Sequence, residues 1–375
     1  MKVAIIYDLT EAGGVQTCVL SLIKGLNKKG IKPIIFWDEA PNSELLIEAG
    51  VSVDYVQIKF PIAPSRIKTI PNLFRYLLWP FNMIKISKIP SDFDYVYSFT
   101  VNILIDKIRP HLFYLSGPPL LPQLESKSIR FKIAKFLYKL MIRPFYPAYE
   151  PQRKANYVIN SQYTAKLFEE AHNRKLEVVY PSNQLKIENL QEEDLPFRDT
   201  VTFFSRIVDY KRPEFLMILA KQYPDLKFAI MGGVSKNRID YLDSLKNMAS
   251  DQNLTNLSFY PNASRNDIDQ ILKKTLFYVF PAINEHFGIT TVEAVLKGCI
   301  PFVHDSGGQK EIVPFSHLRF SDEDFTTKFT ELLSLKNEDK NKYRQKMHKH
   351  ILLFTEESFI DRMINICINE EQVAV

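Results

Sequence analysis

Cysteine is nearly absent from this 375-residue chain: three occur, Cys18, Cys299 and Cys367, far apart and in no metal-ligand spacing. Such scarcity excludes a disulfide-stapled fold and a cysteine-held metal, and implies buried free thiols in a reducing compartment. Also missing is any run of roughly 18 to 20 apolar residues, the length a membrane-spanning helix needs. The N-terminus enters a strand at once (Val3-Ala4-Ile5-Ile6-Tyr7), without a charged leader or a small-residue cleavage site. A cytosolic protein is expected, either free or touching the membrane's cytoplasmic face. Charge of one sign is not in excess: Lys and Arg total 48 against 43 Asp and Glu, a net +5. That balance argues against a nucleic-acid binder, which needs a strong basic stripe, and fits an anionic small molecule or an anionic membrane surface.

What the chain does have is apolar residues in alternating short runs. At 46% hydrophobic it can bury two cores, and its length suits two domains. The first forty residues set the class. Strand Val3–Tyr7 leads to Gly13-Gly14, then to a helical pattern with Val15, Val19, Leu20, Leu22 and Ile23 on one face, closed by Lys28-Lys29-Gly30. Strand 32–37 follows, completing a βαβ unit and predicting a parallel sheet. Further strands are expected at 95–99, 112–115, 157–159 and 177–180. After a polar stretch, 181–198, the rhythm restarts with strands at 201–204, 227–231, 257–260, 276–280 and 300–303, helices between them, and only helix from 322 to 367. The expected fold is α/β, with two Rossmann-like parallel-sheet domains facing across a cleft. Their bounds are 1–180 and 181–350, with 351–375 a C-terminal helix packing back on the first domain. Ligands in such folds bind at the carboxyl ends of the strands.

The sharpest signal is Glu285-His286-Phe287-Gly288-Ile289-Thr290-Thr291-Val292-Glu293, between a strand and a helix. The amides from Phe287 to Thr290 would form a helix N-terminus suited to a phosphate, and Gly288 would let backbone approach a ligand. Carboxylates on either side would accept hydrogen bonds from sugar hydroxyls. A solvent-facing acidic loop with a helix-start glutamate is the plainer alternative. A second cluster, Ser205-Arg206 and Lys211-Arg212-Pro213, follows strand 201–204 and would supply fixed cations for a diphosphate; alone it could equally be a solvated basic turn. Gly232-Gly233 and Gly307-Gly308 fall after strands, where backbone would approach a nucleotide.

The stretch Glu-His-Phe-Gly-Ile-x-x-x-Glu resembles the hallmark of the retaining GT-B glycosyltransferases of the "glycosyltransferase group 1" or family 4 set. The resemblance implies that Glu285 contacts the transferred sugar and Glu293 the donor ribose. It implies that the amides near Gly288 to Thr290 face the donor diphosphate and sugar, in a donor-binding stretch made of His286, Phe287, Gly288, Ile289 and Thr290. The pair Arg206 and Lys211 resembles the family's Arg-x-x-x-x-Lys, which implies diphosphate binding and a catalytic part beside Glu285. By the same resemblance Gly14 and Gly232 lie near the diphosphate, and Ala263, within 261–264, near the base. The implied reaction is retaining transfer of a hexose from a nucleoside diphosphate sugar to a hydroxyl of a glycan or lipid-linked glycan. The version of the motif hints at GDP-mannose, with a UDP-sugar as the other candidate, and no cofactor or metal is implied.

Two features depart from the family. Ser205 stands where a glycine is common. Ser116, followed by Gly117 on the acceptor side, stands where relatives carry a histidine near the reacting carbon; His111, five residues earlier, reads as structural. His286 either touches the sugar or is structural. Asn160-Ser161-x-x-Thr164 reads as a helix cap. Asp92-x-Asp94, Asp267-x-Asp269 and Asp322-x-Asp324 are placed unlike a metal motif and read as chance or capping. Segments 57–93 and 123–154 interleave Lys and Arg with large apolar residues, which fits an interfacial helix on anionic lipid as well as an ordinary surface helix. A GT-B nucleotide-sugar epimerase and a non-catalytic binding partner are the rival functions. A dehydrogenase is excluded, because Gly13-Gly14 does not supply its glycine fingerprint.

Overall fold

The computed structural model describes residues 1–10, 13–59, 92–99, 111–117, 133, 156–183, 198–235 and 238–368. The basic segments within 60–91, 118–132 and 134–155, and most of the polar stretch 181–198, lie outside the described residues, as does the side chain of Cys367. The chain divides into two units, Met1–Ser182 with Glu356–Val375, and Asn183–Thr355.

In the first unit the described strands are β1 (Val3–Ile6), β2 (Ile34–Trp37), β3 (Asp54–Gln57), β4 (Tyr95–Ser98), β5 (His111–Leu115), β6 (Asn156–Ile159) and β7 (Glu177–Val178). They form one sheet in the order β3-β2-β1-β4-β5-β6-β7, every neighbouring pair parallel. Continuous apolar runs such as Val3–Ile6 are buried along their whole length, as a sheet covered on both faces requires. Helix α1 (Gly14–Lys28) lays Cys18, Val19, Leu22, Ile23 and Leu26 on that core. Helix α2 (Ser43–Ala49), capped by Asn42, and strand β3 were not foreseen. Neither carries an apolar stripe: α2 has no buried residue and three of the four β3 positions are exposed, so periodicity had nothing to detect. Helix α3 (Gln162–His172) begins at Ser161, whose hydroxyl accepts from Thr164 N at 3.1 Å, the expected cap.

The second unit contains β8 (Thr200–Phe204), α4 (Phe215–Gln222), β9 (Lys227–Gly232), α5 (Ile239–Asp251), β10 (Leu257–Pro261), α6 (Arg265–Lys274) and β11 (Thr275–Phe280). It continues with α7 (Ile289–Leu296), β12 (Ile300–His304), α8 (Gln309–Ile312), β13 (Arg319–Phe320), α9 (Phe325–Ser334) and α10 (Asn337–Ile351). Its sheet runs β10-β9-β8-β11-β12-β13, again parallel throughout. A two-residue strand such as β13 is too short to show alternation, and it escaped the sequence reading. Both sheets have the doubly wound order of a Rossmann-like domain, and the fold is GT-B.

Helix α11 (Glu356–Ile368) belongs to the first unit, where it lies on α1. Glu356 accepts from Ser21 Oγ at 2.9 Å and pairs with Lys24 at 2.7 Å. Phe359 meets Tyr114 edge to face, with ring centroids 5.7 Å apart. Gly25 faces Ile360 so closely that a Cβ there would collide with the isoleucine side chain. Cys18 is buried in the same core, and burial pushes its thiol up to about 12; Cys299 is buried in the second unit and raised likewise. Among the described residues no helix is long and apolar enough to cross a membrane.

Candidate active site

The strand order of the second sheet decides where a ligand can sit. The chain steps outward from β8 to β9 to β10, then returns to the opposite side of β8 as β11. Loops leaving β8 and β11 therefore part toward opposite faces and leave a crevice at their carboxyl ends. Arg206 and Lys211 follow β8, and Glu285 follows β11, so the two charged motifs flank this switch point.

They meet as an ion pair. Lys211 Nζ is bonded to Glu285 Oε2, and the lysine is 6% exposed. Its ammonium lies 5.3 Å from the Phe280 ring centroid and 5.5 Å from that of Tyr210. Arg206 is exposed, with its guanidinium carbon 6.0 Å from the same Tyr210 ring, and has no ion-pair partner among the described residues. The crevice thus offers an anion one exposed cation and a second held by a carboxylate. Low exposure strengthens whatever charge pairs with Lys211.

The loop carrying Glu285 is held from several sides. Tyr278 Oη donates to Phe204 O (3.1 Å) and shares a hydrogen bond with Thr290 Oγ1 (2.8 Å), tying the end of β8 to the start of α7. Burial pushes this phenol far above its usual range, so it stays a donor. Gly288 caps α7 at φ 110, and a Cβ there would collide with the amide of buried Gln309. Gln309 Nε2 donates to Phe287 O (3.1 Å), while its Oε1 accepts from Thr291 Oγ1 (2.9 Å). No side chain caps α7, so the amides of Ile289 and Thr290 are left for a ligand or for solvent. His286 is half-buried and engaged with neighbouring groups; Phe287 is buried, edge-on to Phe354 at 5.3 Å.

Glu293, in the second turn of α7, pairs with Arg265 Nη1 at 3.4 Å, and its side chain is 14% exposed. Burial raises its pKa, and Arg265 opposes the rise. The turn after β10 places Ala263 half-buried beside Asn262, whose Oδ1 accepts from Val234 N at 2.8 Å. Gly232 ends β9 at φ 150, where a Cβ would collide with Ser205 O.

Gly307 and Gly308 have a reason inside the fold: a Cβ on Gly307 would strike Glu285 and one on Gly308 would strike His286 O, while Gly308 N donates to Glu285 O at 2.7 Å. The three Asp-x-Asp pairs are engaged within the fold. Asp92 pairs with Lys2, and Asp94 accepts from Lys2 N; Asp267 bonds its cap Ser264, and Asp269 pairs with Arg265 and Lys297. Asp322 pairs with Arg212, and Asp324 with Lys328.

Residues 187–350 match the family model described as "Glycosyl transferases group 1". They are a group 1 glycosyl transferase domain. The domain contains every second-unit residue that the sequence reading assigned to donor and catalysis. Among curated relatives, the chain is similar to a D-inositol 3-phosphate glycosyltransferase of Mycobacterium sp. (strain JLS), 25% identical over 153 residues, covering 38% of this chain and 35% of that protein. It is also similar to the GDP-Man:Man(3)GlcNAc(2)-PP-Dol alpha-1,2-mannosyltransferase of Neurospora crassa, 32% identical over 163 residues, covering 40% of this chain and 28% of that protein. The matched stretches thus span about a third of these relatives. Among solved structures, Anabaena Alr3699/HepE in complex with UDP and glucose superposes with a TM-score of 0.70 at 17% identity, over 98% of this chain and 99% of that one. The sucrose-phosphate synthase of Thermosynechococcus elongatus has a TM-score of 0.70 at 13% identity, over the whole of both chains.

Outside the glycosyl transferase domain, the first unit places Gly14 at the start of α1, behind the uncapped Gly13. Ser116 is exposed and Gly117 half-buried, just past β5. Buried Asn160 donates from Nδ2 to Ser116 O at 2.9 Å, so the Asn-Ser-x-x-Thr motif fixes this turn as well as capping α3. Tyr278 and Gln309 carry no sequence signal for the site, and the basic cluster points to Arg212 only as a cation, not as a support. Each acts through a partner 12 or more residues away.

Proposed function

We propose that the chain is a retaining glycosyltransferase that moves a hexose from a nucleoside diphosphate sugar to a hydroxyl of a glycan or lipid-linked glycan. The observation that carries this reading is the Lys211–Glu285 pair at the β8/β11 switch point, with exposed Arg206, which has no ion-pair partner among the described residues, over the same Tyr210 ring as Lys211. In the proposed complex the diphosphate takes Arg206 and Lys211, the ribose hydroxyls bond Glu293, and the base lies by Ala263. The α7 amides and Glu285 hold the sugar end.

The chemistry then needs little from the protein beyond charge and position. The C1–oxygen bond to the diphosphate breaks and its electron pair goes to the phosphate oxygen. Two fixed cations stabilise that charge, work done by a metal in other enzymes, so no resident metal is proposed. The acceptor oxygen bonds C1 on the face the phosphate leaves, and its proton passes to the departing phosphate. Configuration at C1 is kept. Glu285, released from Lys211 as the diphosphate takes the lysine, accepts hydrogen bonds from the sugar hydroxyls.

Mannose from GDP-mannose is the favoured donor, supported by the motif's form and by the similar mannosyltransferase; a UDP-sugar is the second candidate, supported by the UDP complexes of the similar structures. A lipid-linked acceptor would bring the protein to an anionic membrane surface on the cytoplasmic side. The test is turnover of GDP- and UDP-sugars with a polyprenyl-diphosphate glycan, in chelator, with the product anomer read by NMR. An α-linked product from an α-linked donor supports the proposal, and an inverted product contradicts it. Epimerised donor without transfer would favour an isomerase.

A further inference from the structure

Beyond the donor-binding groups, a chain of contacts links the Lys211 loop to the Glu285 loop from behind. Arg212 follows Lys211 directly and holds a left-handed backbone, φ 58, that arginine rarely adopts. Its guanidinium carbon lies 3.9 Å from the Phe215 ring centroid. One nitrogen donates to Pro281 O at 3.2 Å, and the other to Asp322 Oδ2 at 2.7 Å. Asp322 Oδ1 lies 3.5 Å from His304 Nε2. His304 Nδ1 hydrogen-bonds Ser306 Oγ at 2.8 Å, and Ser306 Oγ accepts from Asn284 N, also at 2.8 Å. Asn284 is the residue before Glu285 and also has positive φ, 54. The loop that bears Glu285 is therefore gripped at its beginning, Pro281, and just before its acid, Asn284. Both grips trace back to the residue beside Lys211. Backbone strain held in place by surrounding bonds is a mark of a functional arrangement.

We propose that Arg212, Asp322, His304 and Ser306 are positioning residues, which keep Glu285 in register with Lys211 so that the sugar and the diphosphate are held together. None of the four is assigned a contact with donor or acceptor. The proposal rests on the transferase reading above.

Two disruptive variants and one rescuing variant test it from opposite ends of the chain of contacts. Ser306→Ala removes the hydroxyl that receives Asn284 N, and Ser306→Thr keeps a hydroxyl there. Arg212→Gly suits the left-handed backbone; it removes the pair with Asp322, the bond to Pro281 O and the stacking on the Phe215 ring, all from a half-buried position, so the fold should survive. Nucleoside diphosphate affinity, by calorimetry, should stay within about twofold of the parent in all three, because Arg206 and Lys211 are intact. The kcat for transfer should fall about tenfold or more in Ser306→Ala and Arg212→Gly, as loss of alignment produces, and Ser306→Thr should restore most of it. The proposal is overturned if both variants keep parental kcat, or if the loss lies in nucleotide affinity with kcat unchanged. It is also overturned if the loss tracks a fall in Tm and Ser306→Thr does not rescue. If the parent chain itself binds nucleotide but transfers nothing, it is the transferase reading that fails.

Discussion

Replacing Lys211 with methionine and Glu285 with glutamine, singly and together, measures how strongly the two motifs are coupled. The side chains are 8% and 19% exposed, so the pair lies between two known limits. Solvent-exposed pairs contribute roughly 0.2–1 kcal/mol, and breaking a fully buried one costs about 3–5 kcal/mol. An interaction energy of about 1–3 kcal/mol follows for this pair. Lys211→Met alone leaves the Glu285 carboxylate without its cation, and Glu285→Gln alone leaves the more buried ammonium, packed on Phe280, without its anion, so each single change should destabilise and the second at least as much. The double variant, which leaves no lone charge, should recover most of the loss. In a unit of this size each kcal/mol moves Tm by about 2–4 °C, so the cycle is readable by scanning calorimetry of the full chain. Additive single effects, with coupling under about 0.5 kcal/mol, would refute the reasoning, because neighbours that interact do not add. Such a result would mean that solvent already screens the pair.

Two further expectations concern stability. Burial raises the pKa of Glu293 in the folded state, so its folded form prefers the proton. The stability tied to this residue is therefore present at low pH, and is lost as pH rises through the raised folded value. Glu293→Gln should accordingly raise Tm at neutral pH while weakening nucleotide binding, and the Tm gain should vanish in acid; a lower Tm at neutral pH would contradict this. Gly25→Ala should destabilise the first unit by about 1–3 kcal/mol through overpacking against Ile360. The double variant Gly25→Ala/Ile360→Val should recover part of that loss in urea denaturation, and strict additivity would contradict the packing argument.

The elements with a strong period and a clear stop were legible before the structure. Helix α1, with its apolar face and Gly30 beyond it, and the buried runs of β1, β8 and β11 are examples, and together they imply a parallel α/β fold. Elements whose existence rests on tertiary neighbours were not legible. Strand β3 has mostly exposed residues and is a strand because it pairs with β2. At the site, Glu285 and Glu293 stand out through the strand–loop–Gly288–helix context, and Arg206 and Lys211 through their resemblance to the group 1 pattern rather than through anything special in a basic turn. What the sequence hid is how they are supported: Tyr278, Gln309, Arg212 and Ser306 matter through partners far along the chain. Gly307 and Gly308 show the same limit, since a glycine pair tells that something comes close, and only the fold tells that it is the Glu285 loop.

In the proposed complex a nucleoside diphosphate sugar lies between Arg206, Lys211 and Glu293. Isothermal calorimetry in chelator, with GDP, UDP, ADP and their sugar conjugates, measures this binding. One nucleoside diphosphate and its sugar should bind the parent chain, and both Arg206→Ala and Glu293→Ala should weaken that binding by about tenfold or more. No binding by any member of the panel, or binding that both variants leave unchanged, would rule this complex out.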